Sequence, residues 1–313
     1  MSVLVVGDTN VDLEIRLPTE THRETHANPD PQLFGGGSAA NTAAALARLG
    51  VACRFAGAVG DDSFGRFAIE SLSEAGVDTS PVTVAPGDPT VAVVAVVQPD
   101  GDRLIYVWPP SGGAHGALQP SHTVDAVTGS TWLHVSGICL RVRPARDAVL
   151  AAMRRARSDG IPVSFDLNLR LENWGWEAGF REVVETAVEL ADVVLGAASD
   201  EIGALAGISD PVEAAKALAG GDRLVIARLG AAGAVACSAN AVTTGPGFEV
   251  SVVDTVGAGD AFDAGFIAAR IQGDDVAGAV RWGNAVAGLS VAQPGARSSP
   301  TRSEVEALLD QQM

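Results

Sequence analysis

The sequence predicts an α/β fold: a mostly parallel sheet with helices on both faces, and a small second β-sheet standing off it. Three observations predict it. Short β-branched runs alternate with alanine-rich helical patterns along the chain, as strand–helix–strand units require. The runs are apolar throughout, which suits strands covered on both faces. One segment, residues 90–108, breaks the alternation with two β runs around Pro-Asp-Gly, a hairpin signature.

The elements follow in order. "VLVVG" (3–7) is a first buried strand. "DLEIRLP" (12–18) is an exposed, alternating strand that can join the hairpin. Residues 38–50 form a helix that stops at Gly50, and 53–60 are strand-like. A serine-capped helix spans 63–77, and a strand follows at 131–137. Helix 145–160 precedes strand 161–168, and helix 180–191 precedes strand 192–197. Helix 199–207 leads to two strands, 223–230 and 233–239. Two helices, 259–273 and 275–295, and a last helix at 303–312 close the chain. The polar stretch 21–32 reads as the most mobile loop.

Composition excludes several classes. The chain has 313 residues, 47% of them hydrophobic, enough for one large α/β unit over 1–313. No run of 18 apolar residues appears, so no membrane-spanning helix is expected. The start, "MSVLVVGDTNVD", has neither a basic segment nor a cleavage site, so a cytoplasmic protein is expected. The net charge of −17 leaves no basic face for a nucleic acid. Cys53, Cys139 and Cys237 lie far apart without CxxC spacing, which argues against a disulfide framework or a zinc site. The one lysine, Lys216, lies outside any GxxxxGK[ST] motif, so phosphate handling falls to backbone amides and arginines. "GGGSAAN" comes almost thirty residues after the first strand and lacks the third glycine, so a dinucleotide fingerprint is also excluded.

The most informative stretch is "DTVGAGDAFDAGF" (254–266). A Gly-Ala-Gly turn at a helix start presents unpaired N–H groups and the positive end of a dipole, which suits a phosphate. Asp260 in the first turn can reach the same space and take a proton from an attacking hydroxyl. Taken on spacing alone, an ordinary aspartate helix cap explains the pattern as well.

The same stretch matches D-T-x-G-A-G-D-x-F and so resembles the C-terminal signature of the ribokinase, or PfkB, family of carbohydrate kinases. "GGGSAANTAAALARLG" (35–50), "GAVGDDSFG" (57–65) and "GDTNVD" (7–12) resemble its N-terminal signatures, in the family order. The resemblance implies a ribokinase-like three-layer αβα sandwich with a β lid from about 12–33 and 90–108. It implies that Asp260 is the catalytic base and that Gly257, Ala258 and Gly259 form the anion hole. It implies sugar contacts at Asn10, Asp12, Gly36, Gly37 and Asn41. The nucleotide falls to Arg228, Gly230 and Gly233 of "RLGAAGA" and to Asn284. Asp254, with the "QPGARSS" turn (293–299), resembles a monovalent-cation site for potassium. ATP and magnesium are the implied cofactors, and dimerisation through the lid is implied for the partners.

Two departures bear on the reaction. The family's N-x-x-E reads "ASDE" (198–201): Glu201 remains to support magnesium through water, but Ala198 replaces the asparagine. "SFDLNLRLENW" (164–174) resembles 2-keto-3-deoxygluconate kinases, then fructokinases, with Asn168 and Arg170 as substrate contacts. Arg170 suits a carboxylate or phosphate oxygen. "WPPSGG" puts Trp108 where those relatives carry an arginine, which favours the C–H face of a neutral sugar or a base. The expectation is phosphoryl transfer from ATP to a hydroxymethyl group of a small sugar or sugar acid. A nucleoside kinase and a non-catalytic sugar-binding relative are the alternatives.

Overall fold

The computed structural model describes residues 1–17, 31–98, 103–110 and 112–311. The 99–101 turn of the expected hairpin and most of the expected 21–32 loop fall outside them. The main sheet has eight strands in the order β14-β13-β12-β11-β10-β9-β1-β4. They are β1 (Ser2–Val6), β4 (Ala52–Ala56), β9 (Trp132–Ser136), β10 (Val163–Asp166), β11 (Val193–Ala197), β12 (Leu224–Arg228), β13 (Ala234–Cys237) and β14 (Val242–Gly245). All neighbours from β4 to β12 pair parallel, while β13 and β14 add antiparallel. A four-stranded sheet, ordered β3-β2-β7-β8, stands apart. Its strands are β2 (Asn10–Arg16), β3 (Gln32–Gly36), β7 (Ala92–Val97) and β8 (Arg103–Trp108). A short pair, β5 (Ala58–Gly60) and β6 (Thr83–Ala85), completes the β structure of the described residues.

Side-chain alternation in β1 explains the layering. Val3 and Val5 join one apolar cluster, which includes Phe55, Leu46 and Phe266. Leu4 and Val6 join the other, with Leu133, Phe165 and Met153. Both sets are fully buried, so a two-sided strand needs helices on each face. Each fully buried Leu or Phe contributes roughly 1.5–3 kcal/mol of burial free energy.

Two elements differ from the sequence expectation. The strand expected over 53–60 divides at Gly57, and its second half, β5, leaves the main sheet to pair with β6. The helix expected at 199–207 opens as a π-turn over Ala198–Gly203 before Ala204–Ala206. The wider turn lets Glu201 reach back toward the strand it follows, where the Ala197 amide donates to it at 2.7 Å.

The carboxyl ends of β1, β9, β10, β11 and β12 open on one edge of the sheet. β1 lies between β4 and β9, so chain order reverses there, the place where open α/β sheets leave a crevice.

Candidate active site

Asp260 sits in the first turn of the helix Ala258–Gln272, whose N-cap is Gly257 at φ 79°. A side chain at Gly257 would be strained by that φ, and its Cβ would lie 2.5 Å from the Ala296 carbonyl oxygen. The backbone turn is therefore pressed against the 293–299 segment; the Ala258 amide donates to Thr255 O at 3.3 Å, and the next N–H groups have no intrahelical acceptor.

A second helix start meets the first. Gly37, at φ 96°, caps the helix Ser38–Arg48, and the buried Asp8 accepts from the Ser38 and Ala39 amides at 2.9 and 3.4 Å. Ser38 Oγ donates to Asp260 Oδ1 at 2.8 Å, and Asn41 Nδ2 donates to Oδ2 at 2.9 Å. Burial raises the Asp260 carboxyl to about 7; the nearby Asp166 and Asp8 add to that rise, and the Asn41 and Ser38 hydrogen bonds oppose it. The group is thus poised to exchange a proton near neutrality.

Asp12 lies on the lid strand β2 and accepts from Asn10 Nδ2 at 2.5 Å. Burial raises it to about 6, against the Asn10 hydrogen bond and the Arg297 charge. Gly36, opposite Asn10 on β3, leaves this space open: a Cβ there would sit 2.5 Å from Asp12 Oδ2. Asn10, Asp12, Gly36, Gly37 and Asn41 thus gather on the lid side of Asp260.

On the other side runs a cleft of about 1200 Å³. Its wall holds Gly257, Ala258, Gly259 and Asp260 together with Asn168, Arg170, Arg228, Gly230, Gly233 and Asn284. Phe248, Val250, Val252 and Val291 give it an apolar stretch. Asn168 and Arg170 both take positive φ, 39° and 49°, which turns the chain sharply after β10.

Three of the expected site residues make contacts that their sequence context does not signal. The Arg228 guanidinium, in the cleft wall, is engaged by groups of the protein. Its Nη1 donates to Gly259 O at 3.1 Å and Asp263 Oδ1 at 2.7 Å, and its Nη2 to Asp166 Oδ1 at 2.7 Å, with Glu201 at 3.8 Å. Those carboxylates hold it more firmly protonated than usual despite its burial. Glu201 is also committed: its two oxygens accept from the Leu169 and Ala197 amides, both at 2.7 Å, so it ties the Asn168 turn to β11. Trp108 faces away from Asp12. Val11, Ala92 and Trp108 pair across the lid in one row, while Asp12, Val93 and Val107 form the next. Adjacent rows point to opposite faces, and Trp108, 51% exposed, lies outside the cleft wall.

Asn284 lines the cleft, but its amide donates to the Gly245 and Pro246 carbonyls, holding the loop after β14. Asp254 is buried and accepts from the Val256 and Gly295 amides, both at 3.1 Å, joining the segment before Gly257 to the 293–299 turn. Among the described residues no group of three or more His, Cys, Asp or Glu can hold a metal. Asp200 and Glu172 stand exposed in the cleft wall, so the donors present suit a metal carried in by a triphosphate rather than a protein cage. Sequence reasoning missed Ser38, Asp8 and Arg297. Asp8 directly follows the first strand, a position where a cap for another helix could have been sought.

The profile of the pfkB family carbohydrate kinases matches residues 1–302. The chain is 35% identical to an ATP-dependent ribose-1-phosphate kinase of Halopiger xanaduensis, covering 99% of this chain and 98% of that one. An E. coli chain named as a candidate ribokinase II, solved with ATP and Mg2+, superposes with TM-score 0.88 at 26% identity over 99% of both chains. A fructokinase double mutant of Vibrio cholerae, solved with fructose, ADP and a potassium ion, gives TM-score 0.81 at 30% identity over 98% of both. The match over nearly the whole chain and the relatives at 30% identity or more show that the chain belongs to the pfkB family of carbohydrate kinases, which are phosphotransferases.

Proposed function

We propose that the chain transfers the γ-phosphoryl group of ATP to a hydroxymethyl oxygen of a small sugar bound under the lid, with Asp260 as the base. The observation that carries this is the double position of Asp260: it lines the cleft, and it is held by Ser38 and Asn41 on the lid side. A hydroxyl presented from the lid side gives its proton to Asp260, its oxygen forms the bond to the γ-phosphorus, and ADP leaves with the bridging oxygen. The Gly257–Gly259 amides stabilise charge on the transferring group. Magnesium bound to the triphosphate would neutralise its charge, with Asp200, Glu172 and Glu249 as exposed carboxylates in the cleft wall.

The lid side is rich in carboxylates (Asp8, Asp12 and Asp260), which accept hydrogen bonds from hydroxyls and repel an acid. That favours a neutral, hydroxyl-rich sugar of the fructose or ribose type. Arg170 stands in the cleft on the phosphate side, where it can meet a phosphate oxygen or the carboxylate of a 2-keto-3-deoxygluconate. The nucleoside reading loses the support of Trp108, which faces away from Asp12.

Two further parts of the proposal rest on separate observations. Asp254 and the 293–299 turn are proposed to take potassium, an ion with which the fructokinase neighbour was solved. The edge strand β8 exposes Leu104, Ile105, Tyr106, Val107 and Trp108 on both its faces, so a second copy is proposed to cover it. Ile105→Glu should then leave a monomer in sedimentation, while an unchanged dimer would place the interface elsewhere. No described helix is long and apolar enough to cross a membrane, and the three cysteines are buried and unpaired, which supports a reducing cytoplasm. Measuring ADP release with magnesium and potassium across fructose, ribose, 2-keto-3-deoxygluconate and several nucleosides tests the substrate class. Turnover with a nucleoside alone would overturn it.

A further inference from the structure

Arg297 follows the 293–296 turn and ends in the space between the lid and the helix Ser38–Arg48. Among the described residues all its hydrogen bonds go to neutral acceptors. Nε donates to Asn41 Oδ1 at 3.3 Å, Nη1 to Ser71 Oγ at 2.8 Å, and Nη2 to Gly36 O at 2.8 Å and Thr9 Oγ1 at 3.4 Å. Among the described residues it makes no ion pair within 4 Å. A Cβ at Gly35 would sit 2.1 Å from its Nη1, so the lid strand passes directly over it. Gly35 and Gly36 alternate in face along β3, so the guanidinium lies under the strand and the sugar contacts Asn10 and Asp12 lie over it.

The chemistry of the Asn41 contact is directional. A guanidinium only donates, so the Asn41 atom facing Arg297 must be the carbonyl oxygen. The NH2 end is then turned to Asp260, where it donates at 2.9 Å. With the amide reversed, a carbonyl oxygen would face the Asp260 carboxylate and an NH2 would face the cation, and both contacts would be lost.

We infer that Arg297 is a positioning residue: it fixes the Asn41 amide so that one Asp260 oxygen is always held by a donor and the carboxylate keeps a single orientation toward the attacking hydroxyl. The inference rests on the proposed role of Asp260 as base. Other charges also face Asp260: Asp166 from β10, Asp8 beyond β1, and Asp263 on its own helix, with Arg228 behind Gly259. Burial lowers the Arg297 guanidinium to about 10, while Asp12, Asp8 and Asp260 pull it back up, so it stays charged across the working range.

The test separates hydrogen bond from charge with Arg297→Lys, which keeps the cation and removes the Nε donor. Each variant is made in the wild-type and Asn41→Ala backgrounds, and folding is checked by thermal melts. The first readout is the Asp260 carboxyl titration in the free full-length chain, by carbon NMR of labelled aspartate assigned with Asp260→Asn. Arg297→Lys should raise that pKa by about half a unit and reduce kcat about fivefold, the scale of one neutral hydrogen bond. In the Asn41→Ala background the same substitution should change neither. Should Arg297→Lys fail to fold, the Asn41 side-chain amide protons of the wild type provide a second readout. They should exchange slowly and stay resolved if the amide is pinned, and rapid averaging would overturn the inference. Equal effects in both backgrounds would make Arg297 a packing strut. A KM rise confined to acidic sugars, with the titration unmoved, would make it a substrate contact. The titration needs no substrate, so a chain that phosphorylates nothing would sink the kinase reading without deciding this one.

Discussion

Asp260 and Asp263 lie one helical turn apart, are both buried, and are held in opposite ways. Asp260 is held by two neutral donors, Ser38 and Asn41, and burial leaves it near 7. Asp263 meets a guanidinium at 2.7 Å that also serves Asp166. Its other oxygen has no partner, and burial together with Asp166 and Asp260 raises its carboxyl well above the usual range, against the pull of Arg228. The difference teaches how one residue type is given two tasks. Neutral donors hold the Asp260 carboxyl in the cleft wall, where it can exchange a proton with a bound hydroxyl. A direct cation turns a carboxylate into a strut. In this chain the Arg228 that these struts hold also donates to the Gly259 carbonyl, and so steadies the turn proposed to receive the phosphoryl group.

The comparison can be broken at several points. Asp260→Asn keeps both donors close to an amide but removes the base, so kcat should fall by about 10²–10⁴-fold with ATP affinity nearly intact. Near-normal turnover would take the base role from Asp260. Arg228→Met should act on stability instead. It leaves Asp166, Asp263 and Glu201 buried without their cation, a loss of about 3–5 kcal/mol that a urea titration would read. A small change there would mean the three carboxylates are held by something other than Arg228.

The pH response sharpens the contrast. Because the folded carboxyl of Asp260 titrates at about 7, above its ordinary 3.8, its contribution to stability is fully present below the ordinary value. That contribution is lost as pH rises through 7. Activity runs the other way and should be lost as pH falls below about 7. Asp260→Asn should therefore melt higher than wild type at pH 8, with the gap closing at pH 5. A gap that is equal at both pH values would contradict the raised pKa. Trp108→Ala should have the smallest effect, changing sugar KM by less than about twofold, the scale of a surface substitution away from the site. A tenfold rise would mean that the lid register differs in the closed state.

Much of this contrast could be read in the sequence on one side only. The strand–helix alternation, the off-sheet hairpin and the Gly257–Asp260 turn are local patterns, and each stands in the structure where its spacing places it. Asp12, Gly36, Gly37 and Asn41 come together because β2 pairs with β3, which ends at Gly36 and runs straight into the helix that Gly37 caps. Three features depended on long-range geometry. Ser38 reaches Asp260 across 222 positions, which no local spacing signals. Arg228 lies beside a nucleotide-type loop in sequence, yet its side chain turns into three carboxylates gathered from β10, the π-turn and the Ala258 helix. Trp108 was one residue out of phase: a two-residue period decides which face of the lid it joins, and only the strand register sets that phase.

The most direct measurement compares wild type and Asp260→Asn side by side for ADP release, with ATP and magnesium, over the sugar panel and at pH 8. The account predicts turnover of a hydroxyl-rich sugar by wild type, at least ~10²-fold less by the variant, and equal ATP binding by both. Equal turnover by both proteins, or wild type that binds ATP and phosphorylates none of the sugars, would contradict it.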